Sequence, residues 1–143
     1  MSDGVKKPSP VLLCAVVGAG SAAGALARFQ TGTEIMAHWG GGDLLATAVV
    51  NIVGSFAIMV FATLTASTGR YPVGEVARQC VMAGFCGGYT TRSLMSLSTF
   101  YLFIEGRWLE GVAYVVGVVA LSLAAATIGY WIAAILNRRT KDG

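Results

Sequence analysis

Gly84-Phe85-Cys86-Gly87-Gly88-Tyr89-Thr90-Thr91-Arg92-Ser93 occupies the centre of residues 79–104, a run whose single charge is Arg92. A bilayer core about 30 Å thick is crossed by about 20 helical residues. The run is therefore predicted to cross a membrane with a guanidinium near midplane. The glycine pair and two threonine hydroxyls beside that charge predict a break in the helix. An arginine at bilayer centre costs about 2.5–3.5 kcal/mol on insertion scales. It should face protein, water or a passing ion rather than lipid.

Working outward, residues 8–27, 44–69 and 111–137 carry no charge at all, and each is long enough to span. The chain has 143 residues, 55% hydrophobic and 12% charged, where a soluble domain is about 25% charged. These features predict an all-α membrane protein: one domain over residues 1–143, with four transmembrane helices and nothing left for a soluble catalytic domain. The spans fall at about 9–36, 44–68, 76–104 and 110–136. The first apolar run lacks a small-residue cleavage site, so no signal peptide is expected. Gly20-Ser21-Ala22-Ala23-Gly24 is a GxxxG motif, which lets helix backbones approach closely and is by itself a weak sign of a dimer face.

Four spans put both termini on one side. That side, with the second loop, carries Lys6, Lys7, Arg70, Arg78, Arg138, Arg139 and Lys141. The other side carries Arg107, joined by Arg28 if the end of the first helix counts as outside. Lysine and arginine in short loops set orientation. A single topology in a bacterial plasma (inner) membrane is expected, with both ends cytoplasmic. Trp39, Trp108 and Trp131 suit interfacial belts, although deeper packing suits Trp131 equally well.

No enzyme constellation appears. His38 is the one histidine, with only Asp43 close in sequence, and it reads as a solvated loop residue. Cys14, Cys80 and Cys86 lie in or beside apolar spans at spacings unlike a metal site. No basic face with interleaved aromatics suggests nucleic acid. The acidic residues Asp3, Glu34, Asp43, Glu75, Glu105, Glu110 and Asp142 all sit at membrane edges, in loops or in tails. Proton-coupled cation export generally needs a carboxylate inside the membrane, so that class is disfavoured. The intramembrane charges, Arg28 and Arg92, are both positive and favour an anion.

The polar residues of the spans agree. Asn51 lies within the second span and must bond a neighbouring helix or a solute. The third span carries Thr90, Thr91, Ser93, Ser96, Ser98 and Thr99, with Ser93 and Ser96 on one face. Tyr114 and Ser122 share a face of the fourth. About half of such hydroxyls would simply bond their own backbone; the rest, beside the cationic centre, form a candidate anion track.

These residues resemble the Fluc/CrcB family of fluoride channels across nearly the whole chain. The resemblance rests on Gly24-Ala25-Leu26-Ala27-Arg28-Phe29, Thr47-Ala48-Val49-Val50-Asn51-Ile52-Val53-Gly54-Ser55-Phe56, Gly84-Phe85-Cys86-Gly87-Gly88-Tyr89-Thr90-Thr91 and Glu105-Gly106-Arg107. It implies an antiparallel dimer with two fluoride pores and a central sodium ion. The sodium would be held by backbone carbonyls, here those of Gly87 and Thr90. Asn51 and Arg28 match the family's pore asparagine and vestibule arginine, and Tyr114 and Ser122 its fourth-helix polar positions. After the paired threonines the family reads Phe-Ser-Thr-Phe-Ser, with a glutamate two residues further on. Here Arg92 and Met95 replace the phenylalanines, Leu94 the threonine and Ser98 the glutamate, while Val118 falls where a serine is expected.

Dual-topology homodimers need nearly balanced loops, and this chain is strongly biased. The leading expectation is a fluoride channel subunit of an antiparallel heterodimer, whose partner is a homologue of reversed bias. Alternatives are a self-dimer, a family-fold channel passing another small anion past Arg92, and a non-conducting structural or regulatory subunit.

Overall fold

A computed structural model describes residues 8–40 and 42–138. Lys6, Lys7, Arg139 and Lys141, which carry much of the expected loop bias, lie outside the described residues, as do Asp3 and Asp142. All regular structure among the described residues is helical. Helix α1 is Pro10–Trp39 and α2 is Asp43–Leu64. The third crossing comes in two pieces. The first, α3, joins Glu75–Gln79, a π-helical stretch Cys80–Cys86 and a last turn Gly87–Tyr89. The second, α4, is Arg92–Ile104. Helix α5 is Trp108–Arg138.

Each boundary has a local cause. Ser9 accepts from the Leu12 amide (3.2 Å), with Pro10 in the first turn, where its missing N–H is harmless. Gly40 (φ 60°) ends α1 and Gly106 (φ 76°) turns the chain from α4 into α5, both in the left-handed region that glycine enters freely. The end of α2 is closed from a distance. The Arg78 guanidinium donates to the Ala62 carbonyl (3.2 Å) and to the Thr65 hydroxyl (3.0 Å), placing a cation where the helix dipole is negative.

Helices α1, α2 and α5 are each long and apolar enough to cross a membrane. At 1.5 Å per residue the 30-residue α1 is about 45 Å long, more than a hydrocarbon core. Pieces α3 and α4 are individually too short for a full span and read as one broken crossing, completing the four-helix subunit. Much of the apolar surface is exposed, including Leu26, Phe29, Phe100, Val116 and Leu123, as suits a multi-pass membrane protein surrounded by lipid.

Two packings organise the subunit. Helices α2 and α5 run against each other over most of their length, and α1 packs on α3. The second packing is backbone against backbone. A side-chain carbon at Gly20 would collide with the Cys80 carbonyl, one at Gly24 with the Phe85 carbonyl, and one at Gly88 with the Ser21 carbonyl. The Gly20–Gly24 motif therefore serves a seam within the chain, where its sequence pattern alone had also suited a dimer face. The π-helical stretch faces this seam. Its wider turns let α3 follow α1 closely before the chain breaks.

Candidate ion pathway at the broken crossing

Thr90 (φ −78°, ψ 155°) and Thr91 (φ −147°, ψ 109°) are both extended, and they separate α3 from α4. One side chain holds this break. Asn51, 8% exposed, accepts from the Thr91 amide through Oδ1 (2.9 Å). Its Nδ2 donates to the Thr91 carbonyl (3.0 Å) and to the Thr47 carbonyl (2.9 Å). Because the Thr91 N–H can only donate, the atom facing it must be the oxygen, and the orientation of the amide follows. Both Nδ2 protons are thus used inside the chain. In this arrangement Asn51 stands at the pathway as the clamp of the break, with no spare donor for a solute.

The clamp has a consequence for the carbonyls. In an unbroken helix the Gly87 carbonyl would take the Thr91 amide, which donates to Asn51 instead. The Thr90 carbonyl would take the Leu94 amide, which donates to the Thr91 hydroxyl (3.2 Å) as the N-cap of α4. The break strips the carbonyls of residues 87–90 of their helical donors, and the two that the family resemblance assigns to sodium are among them. Hard oxygen atoms without donors suit a hard cation, so these residues fit such an ion. Among the described residues no group of three or more histidine, cysteine, aspartate or glutamate side chains could hold a metal ion.

Beside the break lies a cavity of about 380 Å³ between α2, α4 and α5. Asn51 and Ser55 line it from α2, Arg92 and Met95 from α4, and Val118 and Ser122 from α5, with Thr90 at its end. Arg92 makes no hydrogen bond or ion pair among the described residues. The Ser122 hydroxyl oxygen is buried and also lacks a partner there. A buried hydroxyl normally finds a partner. An unpaired cation lines this space, and an unpaired donor lies closed off in a residue of its wall.

The remaining candidates go elsewhere. Arg28 lines a second cavity of about 370 Å³ between α1, α2 and α4, with Asp43, Thr47, Thr91 and Ser98. Helix α4 stands between the two cavities, so Arg28 and Arg92 lie on different sides of it. Ser93 is exposed and its hydroxyl meets that of Thr91 (3.3 Å). Ser96 is exposed and lines neither cavity. Tyr114 donates to the Leu44 carbonyl (3.2 Å), pinning α5 to the start of α2. Several hydroxyls make the bland backbone bond: Thr90 to Cys86 (3.0 Å) and Thr99 to Met95 (2.7 Å).

Sequence reasoning passed over Ser55 and Thr47. Their signal was present: Thr47, Asn51 and Ser55 recur every four residues and so share one helix face. At the far end, Arg107 donates to Glu110 (3.0 Å) and Glu105 (3.0 Å). Hydrogen bonding to Glu110, then to Glu105, holds the Arg107 guanidinium above even its usual pKa.

A broken crossing, carbonyls stripped of their helical donors and a cavity lined in part by Asn51, Ser55, Arg92 and Ser122 are the features of a small polytopic membrane protein with a candidate ion path. A family profile described as "CrcB-like protein, Camphor Resistance (CrcB)" matches residues 15–130. The chain belongs to this family. It is 50% identical over 128 residues to a Brucella abortus protein named fluoride-specific ion channel FluC 3, covering 90% of this chain and 93% of that one. A Paramagnetospirillum magneticum protein named fluoride-specific ion channel FluC is 43% identical over 90% of this chain and 100% of its own length. An Opitutus terrae protein of the same name is 43% identical, covering 82% and 89%.

Proposed function

We propose that this chain is a subunit of a fluoride channel that lowers cytoplasmic fluoride by passive export. It is a conductor of ions and not an enzyme. Half-identity, over nearly full length, to a protein named as a fluoride-specific channel carries the reading. The cavity beside the break supports it physically. Asn51 and Ser55 of α2 and Ser122 of α5 bring polar side chains to the space an anion would cross. Conduction needs binding weak enough to release the ion, which a few hydroxyl and amide groups meet better than a fixed free cation.

The subunit is proposed to sit in the bacterial inner membrane with both ends cytoplasmic. The loop bias supports this, since Arg107, the lone cation of the third loop, is paired with two carboxylates. A one-way chain reaches an antiparallel dimer only with a partner inserted the other way, so a heterodimer with a reversed-bias homologue is the preferred assembly. Sodium is proposed at the Gly87 and Thr90 carbonyls, where it would add a fixed positive charge at the break. This chain's contribution there is the Asn51 clamp, which keeps both oxygens out of the helical ladder.

Fluoride-electrode efflux from liposomes tests the reading, with the purified chain alone and with a reversed-bias homologue. Efflux in either case supports it, and none in both rejects it. A second reading, altered anion selectivity, is favoured by Arg92 lining the cavity where the family has phenylalanine. Chloride or larger anions would then pass, and Arg92→Phe would return selectivity to fluoride.

A further inference from the structure

The Arg92 guanidinium has no partner within its own subunit. It projects from the first residue of α4, beside the break, onto an exposed face bordering the cavity of Asn51, Met95 and Ser122. Facing lipid there would cost about 2.5–3.5 kcal/mol or more. The described carboxylates are those of Glu34, within the last two turns of α1, and of Asp43, Glu75, Glu105 and Glu110 at helix ends. None lines the cavity that Arg92 lines.

These facts bear on what can sit against this face. In an antiparallel pair the twofold axis lies in the membrane plane, so a residue near midplane meets the same depth in both subunits. Two copies of this chain would each bring an unpaired guanidinium to that depth, and neither would offer the other a carboxylate there. Each would keep its full desolvation penalty. Self-pairing is therefore opposed by charge at the centre as well as by orientation at the loops.

We infer that Arg92 is an interface residue whose counter-charge is an aspartate or glutamate carried at midplane by the oppositely oriented partner chain. The inference rests on the heterodimer reading above and adds to it the chemistry by which the partner is recognised. The ion pair favours the hetero-pair and an unpaired charge disfavours the self-pair, which together give specific pairing.

The probe is an inverted copy of this chain, made by moving its loop lysines and arginines to the opposite side. Position 92 of the copy is left as arginine or carries Arg92→Gln or Arg92→Glu. Each is co-expressed with the tagged full-length chain, insertion is checked by cysteine accessibility, and untagged copy recovered with the tag is quantified. Recovery should rise from arginine through glutamine to glutamate, by at least about tenfold between the extremes. Placing Arg92→Glu in the tagged chain and arginine in the inverted copy should recover the same amount. Equal recovery of all three copies, including none of any, overturns the inference; it would leave a bound anion as the counter-charge. Failure of liposome efflux with normal charge-dependent pairing would instead sink the channel reading and spare this one.

Discussion

The two faces of the broken crossing are built on opposite principles. Against α1, α3 meets its neighbour backbone to backbone, with Gly20, Gly24, Gly84 and Gly88 leaving no room for a side chain. Against α5, across the break, α4 leaves a cavity lined by an unpaired guanidinium, with an unpaired hydroxyl closed off in a residue of its wall. The first face is closed by backbone contact, and its polar side chains pair across it, Thr31 with Tyr89 (3.3 Å). The second keeps polar groups without partners in a place where they are expensive. Rigidity is spent on one side so that the other can stay open, and Asn51 stands at the junction, bonding three backbone groups.

The sharpest way to break the contrast is to add one carbon to the closed face. Gly24→Ala sets that carbon against the Phe85 carbonyl and the Tyr89 amide (2.8 Å), and overpacking against backbone should cost about 3 kcal/mol. Melting in detergent should fall steeply. Gly18→Ala, with nothing within 4 Å, should stay within about 0.5 kcal/mol. A loss shared by both glycines would show that the effect belongs to α1 in general and not to the seam.

Asn51→Leu comes next. It strands the buried Thr91 amide and takes a second donor from the Thr91 carbonyl, at about 2 kcal/mol. Melting should drop, and efflux should be lost along with any sodium dependence of it. Full efflux with reduced stability would mean that the stripped carbonyls do not matter to conduction.

On the open face Ser122→Ala should change stability by less than about 0.5 kcal/mol, because its hydroxyl has no partner to lose. Liposome efflux should nonetheless fall. Unchanged efflux would remove Ser122 from the pathway. The smallest effect belongs to Arg107→Ala. Its two ion pairs are exposed, so melting should hardly move. Orientation, read by cysteine labelling of the loops, should stay the same or become more uniform.

Much of this was legible in the chain. Three charge-free runs and a fourth charged only at Arg92 predicted four crossings, and glycines beside threonines marked where the third would break. Asn51 was marked as a polar group that needed a partner, while Thr47 and Ser55 on the same helix face were passed over. Three matters were not legible. Gly20 and Gly24 could have served a partner subunit as well as α3, because a GxxxG motif records closeness and not identity. Asn51 could have offered its amide to a solute, since nothing local says that Thr91, forty residues on, lies opposite. Arg28 and Arg92 looked like stations on one track until α4 was found between their cavities.

The sequence by itself determined where the chain crosses, where it breaks and which charges it carries inward, because hydropathy, helix propensity and charge are properties of short segments. Tertiary structure alone decided which donors are already spent and which cation is left unpaired. Those depend on how helices far apart in the chain cross, and in a low-dielectric interior a difference of a few ångströms separates a satisfied polar group from a functional one.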